Sequence, residues 1–276
     1  MMKLLRIESK KILTYKVFWI LIGLYFLFLA LGIMMAEFMI NSSINQFNTH
    51  MPIPFPHVQL YFFPEIWQNI TFFAGIRYVL IFPAIVIIIL ITNEFTFKTI
   101  RQNIVNGMSK EEFLVSKLEI ILILSVVITV LIGLATILLG VFNSDERSFS
   151  MIFGQSLFLL GFFVEIFSFL MFAFFFGFIF RNTGLAIALF TLYVLIVEPV
   201  LYFIMKIPSL HLKGINTYLP VNSVIRVVEY PAIPFLKKTM GFTLQDHVSL
   251  LTCLVPLAYS AVMIAVVFRV MKKKDL

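Results

Sequence analysis

Charged residues and the usual catalytic groups are scarce in this sequence. Only 13% of the residues are charged, where a soluble domain of average composition carries about 25%. The single cysteine, Cys253, excludes an internal disulfide and a zinc site built from cysteines. The four histidines lie outside the apolar runs or at their edges and show no H-x-x-H or H-E-x-x-H spacing: His50, His57, His211 and His247. Metal-dependent and nucleophilic catalysis therefore have few candidate residues.

Phosphate-binding and protease motifs are also missing. No G-x-x-x-x-G-K-[ST] motif occurs, so the sequence has no backbone cradle for nucleotide phosphates. Glu111 and Glu112 match the start of the E-E-x-x-x-R motif of prenyl-protease-type enzymes, but Ser116 stands where that motif needs arginine. We therefore predict that the chain is not an enzyme and that it binds no metal and no cofactor of its own.

Apolar residues are correspondingly abundant. They make up 61% of the chain, with a mean hydropathy of +1.03, which predicts a polytopic membrane protein. A helix needs roughly 20 apolar residues to cross a hydrocarbon core of about 30 Å. Each run of that length here is too uniformly apolar for a strand, so we predict an all-α bundle that forms one transmembrane domain over residues 1–276. The six runs are at about 17–39, 69–92, 118–142, 151–180, 184–205 and 248–270.

The distribution of Lys and Arg predicts how the spans are oriented. Fourteen of the 21 basic residues fall before the first span, in the break at 93–117, after the fourth span or after the sixth. Six fall on the other side, and five of those lie in the 206–247 loop, which reduces the asymmetry. Both termini and residues 93–117 are therefore predicted to be cytoplasmic, with an uncleaved first span.

Two segments outside the spans are predicted to lie at the membrane surface. Residues 1–16 place apolar side chains among five basic ones, which suits a helix in the cytoplasmic interface, although a plain basic flank would have the same composition. The spacing of apolar residues over 220–229 predicts a short amphipathic helix. It begins at Pro220 and lies on the outer leaflet or dips into it. Its apolar face comprises Val221, Val224, Ile225 and Val228, and its polar face comprises Asn222, Arg226 and Glu229.

The polar break at residues 93–117 contains four basic residues and three glutamates between two apolar runs. Residues 94–105 are compatible with a helix, and Gly107 suits a left-handed residue that ends it. Ser109 can cap a second helix, because Glu112 stands three residues further on, as a capping box requires. A loop that only reversed the chain could be much shorter, so we predict that this one docks another molecule.

Ten residues of this break form a pattern together: Glu94, Thr99, Ile100, Arg101, Gln102, Gly107, Ser109, Lys110, Phe113 and Lys117. With these residues the break resembles the loop between the second and third spans of ABC-2-type transporter permeases. Such loops have an acidic residue after the second span, a T-[ILV]-[RK] helix, a G-x-[ST]-[RK] corner and a Lys that opens the third span. Lys110 stands where Arg is commoner, which keeps the charge. The predicted spans, interfacial helix and outer amphipathic helix match the same family.

The resemblance implies that the loop is a coupling helix seated in a groove of a separate ABC ATPase subunit. Two ATPase copies, which bind ATP and Mg, would drive this chain and a second permease copy or paralogue in the bacterial cytoplasmic membrane. The complex would export an amphipathic, peptide, lipid-like or drug cargo, with membrane lipids but no nucleic acid as further partners. A sensor or scaffold subunit, or a loop that binds lipid headgroups, is the alternative. The implied docking residues are Glu94, Thr99, Arg101, Gln102, Gly107, Ser109, Lys110 and Phe113.

Three ionisable residues fall within the predicted spans. Glu165 is near the middle of the fourth, Glu198 is in the outer half of the fifth, and Arg77 is about eight residues into the second. A charge at a helix centre costs about 2.5–3.5 kcal/mol on insertion scales, so each should face protein or water. One hypothesis places them along a path for a cationic or amphipathic cargo, and the other pairs the glutamates with Arg77 to hold the helices together. The 33 phenylalanines suggest either a slide for lipid-like cargo or lipid-facing filler.

Overall fold

The computed structural model describes residues 11–49, 60–105, 107–144, 148–207, 214–230, 245 and 247–273, with all their side chains except those of Phe47 and Arg101. Within these ranges all regular structure is helical and no strand occurs. Six helices are long and apolar enough to cross a membrane. The predicted all-α fold with six spans is therefore confirmed. Residues 1–10, which contain most of the predicted N-terminal interfacial helix, lie outside the described ranges.

The described part of the chain contains eleven α-helices, one π-helix and one 3₁₀-helix. In chain order these are α1 (Lys16–Asn48), α2 (Ile66–Gly75), α3 (Arg77–Thr96), α4 (Thr99–Val105), α5 (Lys110–Asn143), α6 (Phe149–Phe153), α7 (Leu157–Phe180), α8 (Thr183–Leu192), the π-helix (Tyr193–Val197), α9 (Glu198–Met205), the 3₁₀-helix (Ile215–Tyr218), α10 (Pro220–Ile225) and α11 (Leu250–Lys273). Spans 1, 2, 3 and 6 are α1, α3, α5 and α11. Span 4 is α6 with α7, and span 5 runs from α8 through the π-helix to α9.

Span 4 is the centre of the bundle. Its helix α7 packs against spans 2, 3, 5 and 6 and against α2. In span 4, 67% of the most apolar stretch is buried, compared with 17–22% in spans 1, 5 and 6. A helix that is apolar on every side can be surrounded by other helices in this way. Many phenylalanines of this span are therefore core residues, neither a slide nor lipid-facing filler: Phe158, Phe162, Phe169, Phe174 and Phe178 are all buried.

The sequence predicted one helix over the second apolar run, but the structure divides this run into two helices. It breaks at Ile76, which is extended (φ −60°, ψ 133°) between the end of α2 and the start of α3. Arg77 is consequently the first residue of span 2 and not eight residues inside a helix. At the break, the carboxyl group of Glu165 packs so closely against Gly75 that a Cβ atom there would collide with Oε2. Uniform apolarity cannot reveal such a break, because it depends on a contact with span 4.

The polar break between spans 2 and 3 contains the predicted corner. Gly107 has a positive φ of 94°, and Ser109 and Glu112 form the reciprocal capping box at the start of span 3. Two details differ from the prediction. The first helix is interrupted at Phe97 and Lys98, and Lys98 itself has a positive φ of 55°. The second helix is the first turn of the long span 3 and not a separate helix.

Part of the chain between spans 5 and 6 is packed inside the bundle, with Asn216, residues 221–224, Val227 and Val228 buried. Residues 214–230, here called the re-entrant segment, contain the 3₁₀-helix and α10. The helix begins at Pro220, as predicted, but ends at Ile225, so Val228 follows in a turn. Asn222, predicted on the polar face, is buried and accepts a hydrogen bond from Arg77. Since six spans alternate in direction, the re-entrant segment lies at the end of the bundle opposite the 97–109 loop.

Candidate functional site

The 97–109 loop is formed by a succession of local backbone bonds. Span 2 ends where the Phe97 N–H bonds to the Asn93 carbonyl, and α4 follows after the left-handed Lys98. The N–H of Gly107 and that of Met108 then bond back to carbonyls of α4, which ends the helix. Ser109 accepts from the Glu112 N–H and its own N–H donates to the Glu112 carboxylate. The loop therefore has a defined shape without support from a partner.

Glu94 attaches this loop to the spans. Its carboxylate, at the end of span 2, bonds to Lys117 Nζ of span 3 at 2.8 Å and to Lys11 Nζ at 2.6 Å. It also accepts a hydrogen bond from the hydroxyl of Thr99, the first residue of α4. The Glu94 and Lys117 side chains are 1% and 3% exposed, whereas that of Lys11 is 45% exposed. The buried Glu94 carboxylate of span 2 is thus bonded to Lys11 before span 1, to Thr99 in α4 and to Lys117 in span 3.

The residues that the resemblance assigned to docking fall into a buried group and an exposed group. Glu94 and Phe113 are buried, so neither side chain can touch a partner directly. The Phe113 ring instead lies 5.0 Å from the Lys117 ammonium, beside the Glu94 cluster. Thr99 is half-buried by its bond to Glu94. These three residues hold the loop in place, and sequence alone could not separate that role from direct contact.

The surface of the loop is formed by other residues. Gln102, Gly107 and Ser109 are exposed and Lys110 is half-buried, whereas the side chain of Arg101 lies outside the described part. The sequence prediction missed two large apolar side chains on this surface, because Phe97 is 68% exposed and Val105 is 80% exposed. The signal was present in the helical spacing of α4. Ile100 and Ile104 form its inner face four residues apart, which leaves Gln102 and Val105 outside.

The end of span 6 reaches the same loop. Lys272 in the last turn of α11 forms an ion pair with Glu111 in the first turn of span 3, at 2.8 Å. Both side chains are mostly exposed, so the pair contributes little stability. The pair does show where span 6 ends: its C-terminal end lies at the end of the bundle that carries the 97–109 loop.

The intramembrane glutamates bond to the re-entrant segment. Glu198, fully buried, accepts the Val221 N–H at 3.0 Å and the Asn222 N–H at 2.5 Å. These N–H groups belong to the first turn of α10, whose N-cap residue, Leu219, supplies no side-chain bond. Tyr193 in the π-helix lies beside the Glu198 carboxylate. Glu198 therefore supplies from another span the cap that α10 lacks.

Glu165 holds the re-entrant segment just after α10 ends. Its Oε1 accepts the Val228 N–H at 2.9 Å, and its side chain is buried in the middle of the bundle. Its Oε2 lies against Gly75 and has no hydrogen-bond partner among the described residues. The Tyr25 hydroxyl bonds nearby to the Ala74 carbonyl at 3.3 Å.

Arg77 does not pair directly with either glutamate in the structure. Its guanidinium donates to the Val194 carbonyl in the π-helix at 3.1 Å and to Asn222 Oδ1 at 2.8 Å. The pairing that the sequence suggested is therefore indirect, because Arg77 and Glu198 meet on the same residue, Asn222. All three intramembrane ionisable residues hold the re-entrant segment or its neighbours. Among the described residues, no group of three His, Cys, Asp or Glu is placed to hold a metal ion.

Comparison with known proteins adds no family to these observations. The sequence matches no model of a known protein family, and no curated protein is significantly similar to it.

Proposed function

We propose that this chain is the membrane-spanning permease subunit of an ATP-driven ABC-2-type exporter, and that its 97–109 loop docks a separate ATPase subunit. The observation that carries the proposal is the attachment of the loop through Glu94. A polar loop that only connected spans 2 and 3 would need no buried ion pair at its base, since burying two charges is costly. An element that must transmit force needs such a connection.

The contacts give that transmission a physical route. Movement of α4 acts on Thr99, which is bonded to Glu94, and Glu94 is bonded to Lys117 in span 3. A partner that displaced the loop would therefore act on spans 2 and 3 together. Exposed apolar residues surrounded by polar ones are typical of protein contact sites. Phe97 and Val105, beside Gln102 and Lys98, form such a surface on this loop.

The rest of the proposed assembly follows from the resemblance. Two ATPase subunits bind ATP and Mg, and this chain acts with a second permease copy or a paralogue in the bacterial cytoplasmic membrane. The absence of a nucleotide-binding motif in the sequence is consistent with hydrolysis in a partner. The cargo is an amphipathic, peptide, lipid-like or drug molecule.

Copurification tests the docking surface. The tagged chain is purified from its native membranes in mild detergent, and the eluate is assayed for vanadate-sensitive ATP hydrolysis. We expect a stoichiometric ATPase subunit with the unchanged chain. Val105→Glu, and Arg101→Glu combined with Lys110→Glu, should each remove it, because a carboxylate replaces the apolar or basic contact.

A matched control introduces the same carboxylate at the opposite end of the bundle. Lys206 is exposed there, so Lys206→Glu should leave copurification unchanged. An eluate without any ATPase, or one in which the loop variants retain it as fully as Lys206→Glu does, would contradict the docking proposal. A complex that forms normally but exports nothing would identify a sensor or scaffold subunit.

A further inference from the structure

Glu165 is buried in the bundle with only one of its two carboxyl oxygens bonded. The residue lies near the middle of span 4 (Phe149–Phe180) and is 1% exposed. Its Oε1 accepts the Val228 N–H at 2.9 Å. Its Oε2 is shielded from solvent and receives no hydrogen bond from any of the described residues. A buried carboxylate ion needs donors at both oxygens, so as an anion this group would be only half satisfied.

No basic side chain bonds to Glu165 among the described residues. Arg77, at the start of span 2, donates instead to the Val194 carbonyl and to Asn222 Oδ1. Burial of an isolated carboxylate ion is so costly that such a group takes up a proton instead. Glu165 therefore lies where the neutral acid is the stable form.

The titratable groups around this carboxyl supply no positive charge either. Those close enough to interact with it are the Tyr25 hydroxyl in span 1 and the Cys253 thiol in span 6. Phenols and thiols are ordinarily neutral near pH 7. On other elements that pack against span 4, Glu94 and Lys117 pair with each other at the loop end, and Glu198 bonds to α10. These groups leave the carboxyl without a cation to pair with.

The end of α2 makes the position still less favourable for an anion. Gly75 is the last residue of α2, and Oε2 of Glu165 packs directly against it. The C-terminus of a helix carries partial negative charge, and its last four carbonyls have no partner within the helix. One of them, the Ala74 carbonyl, accepts the Tyr25 hydroxyl. Carbonyl oxygens repel a carboxylate, whereas they can accept the hydrogen of a carboxylic acid.

The close contact at Gly75 favours a proton over a metal ion as the neutralising ligand. A Cβ atom on Gly75 would collide with Oε2 of Glu165, so this face of the carboxyl has room for a hydrogen atom but not for a metal ion. Within the described ranges, Glu165 also belongs to no group of three potential metal ligands.

The location in the fold is one where ion sites occur. The ends of broken helices are where membrane transporters hold Na⁺ or H⁺. Here α2 and α3 separate at Ile76, and Glu165 of span 4 packs against the end of α2. Because its other oxygen bonds to Val228, the carboxyl connects three elements.

We propose that Glu165 is a proton-binding site, with the proton carried on Oε2 while α2 and span 4 are packed together. The proton comes from water: one carboxylate and one H⁺ form one carboxylic acid. A conformation that moves α2 away from span 4 and admits water releases the proton again, because the anion is then hydrated. Opening of this contact is therefore linked to pH. The inference goes beyond the docking of an ATPase and does not depend on it.

Infrared spectroscopy tests the protonation state directly. The full-length chain is produced without a partner and purified in a detergent that has no ester groups, and the C=O stretching band of protonated carboxyl groups is recorded near pH 7. We expect this band in the unchanged chain. Glu165→Gln should lose it, because no carboxyl group remains at the site.

Glu198→Gln is the matched control for the infrared band. Glu198 is likewise buried in a span, but its two oxygens accept N–H groups from the first turn of α10. Donors at both oxygens and the N-terminus of a helix stabilise the ionised form. The band should therefore remain in Glu198→Gln.

Two glycine variants test the site without altering the carboxyl group. Gly75→Ala places a methyl group where Oε2 of Glu165 lies, so we expect the band to shift or disappear. Gly32→Ala adds the same methyl group in span 1, where nothing lies within 4 Å, and should leave the band unchanged. Where Glu165→Gln is not recovered from membranes, the two glycine variants and Glu198→Gln decide the matter.

Thermal unfolding at several pH values tests the linkage. Unfolding exposes Glu165 to water, where a glutamate loses its proton above about pH 4.3. The folded chain then holds one more proton than the unfolded chain, so the unchanged chain loses stability as the pH rises. Glu165→Gln cannot titrate, and its amide oxygen can keep the bond to the Val228 N–H. We expect similar midpoints near pH 5 and a difference in favour of Glu165→Gln that widens as the pH is raised.

The proposal is overturned if Glu165→Gln retains the whole band, or if Gly32→Ala changes the band as strongly as Gly75→Ala does. A midpoint difference between Glu165→Gln and the unchanged chain that is the same at every pH would also overturn it. None of these measurements involves an ATPase or transport. The proton site can therefore fail while the docking proposal stands, and a failed docking experiment leaves the proton site untouched.

Discussion

Glu94 shows how a single residue can be essential to the loop without lying on its surface. The carboxylate is buried, and its bonds to Lys117 and Thr99 connect span 3 and α4 to the end of span 2. In the sequence motif, Glu94 comes before the 97–109 loop and Lys117 comes after it. Only their proximity in the folded chain makes them a pair, and that proximity explains why acidic and basic residues are placed at the two ends of the polar break.

Removal of the Glu94 charge should be strongly destabilising. Glu94→Gln removes the carboxylate that pairs with the buried Lys117 ammonium, and breaking a buried ion pair in this way costs about 3–5 kcal/mol. Lys11 is half-exposed and can turn toward water instead. Thermal unfolding of the purified chain in detergent should therefore show a clearly lower midpoint. Glu94→Leu combined with Lys117→Met should recover most of the loss, because no unpaired charge remains buried.

The exposed pair between Lys272 and Glu111 is the matched control. Glu111→Gln breaks an ion pair of similar length whose side chains are mostly in solvent, so the midpoint should hardly change. Equal effects of Glu94→Gln and Glu111→Gln would show that the Glu94 cluster is not the rigid attachment inferred from the contacts.

Among the elements, the corner after α4 depends on backbone conformation more than on packing. Gly107 has a φ of 94°, and a Cβ atom built there would meet nothing within 4 Å. Gly107→Ala should therefore cost about 1–2 kcal/mol through backbone strain alone. We expect it to weaken copurification of the ATPase, because the corner sets the direction of α4 relative to span 3.

Gly107→Asn distinguishes strain from the loss of a small residue. Asparagine tolerates a left-handed backbone, so this variant should retain more of the complex than Gly107→Ala does. Gly23→Ala provides the control, since Gly23 lies in span 1 with free space around it and without a positive φ. If Gly107→Ala bound the ATPase as well as Gly23→Ala does, the geometry of the corner would not matter for docking.

Two interruptions of the helices lie close to Arg77. The backbone is irregular just before span 2, at Ile76, and within span 5, at residues 193–197. Ile76 adjoins Arg77, and the Val194 carbonyl accepts a hydrogen bond from Arg77. Irregular backbone inside a membrane requires polar partners, because lipid supplies none. The intramembrane ionisable residues provide them, so the costly charges and the helix breaks have one explanation.

For the whole molecule, the basic residues predict which end faces the cytoplasm. Fourteen of the 21 Lys and Arg lie on the side of the 97–109 loop, and six lie on the side of the re-entrant segment. We expect a cysteine at position 107 to react with an impermeant maleimide from the cytoplasmic side, and a cysteine at Ile215 to react from the opposite side. Both are introduced after Cys253→Ser, and both positions are exposed.

Membrane sealing provides the control for this topology experiment. Permeabilised vesicles should label both cysteines, which shows that each one is reactive. The reversed pattern, with Ile215→Cys labelled from the cytoplasm, would place the 97–109 loop outside the cell. It would also exclude docking of a cytoplasmic ATPase there.

Part of the architecture could be predicted directly from residue order. The six spans follow from length and apolarity, and the capping box of Ser109 and Glu112 follows from a local three-residue spacing. Gly107 was likewise identified because a left-handed residue ends a helix locally. These features depend on neighbouring residues along the chain, which is why the sequence contains enough information to predict them.

The remaining features were decided by contacts between distant segments. A uniformly apolar run shows no signal where α2 and α3 separate, whereas in the fold this point lies where Glu165 of span 4 packs against Gly75. The burial of Glu94, the insertion of α10 and its capping by Glu198 likewise require residues from separate elements to meet. Composition and spacing by themselves determined the class, the spans and the polar loop. Only the tertiary structure decided which charges are buried and what they hold, because a buried charge persists only where folding brings it a partner.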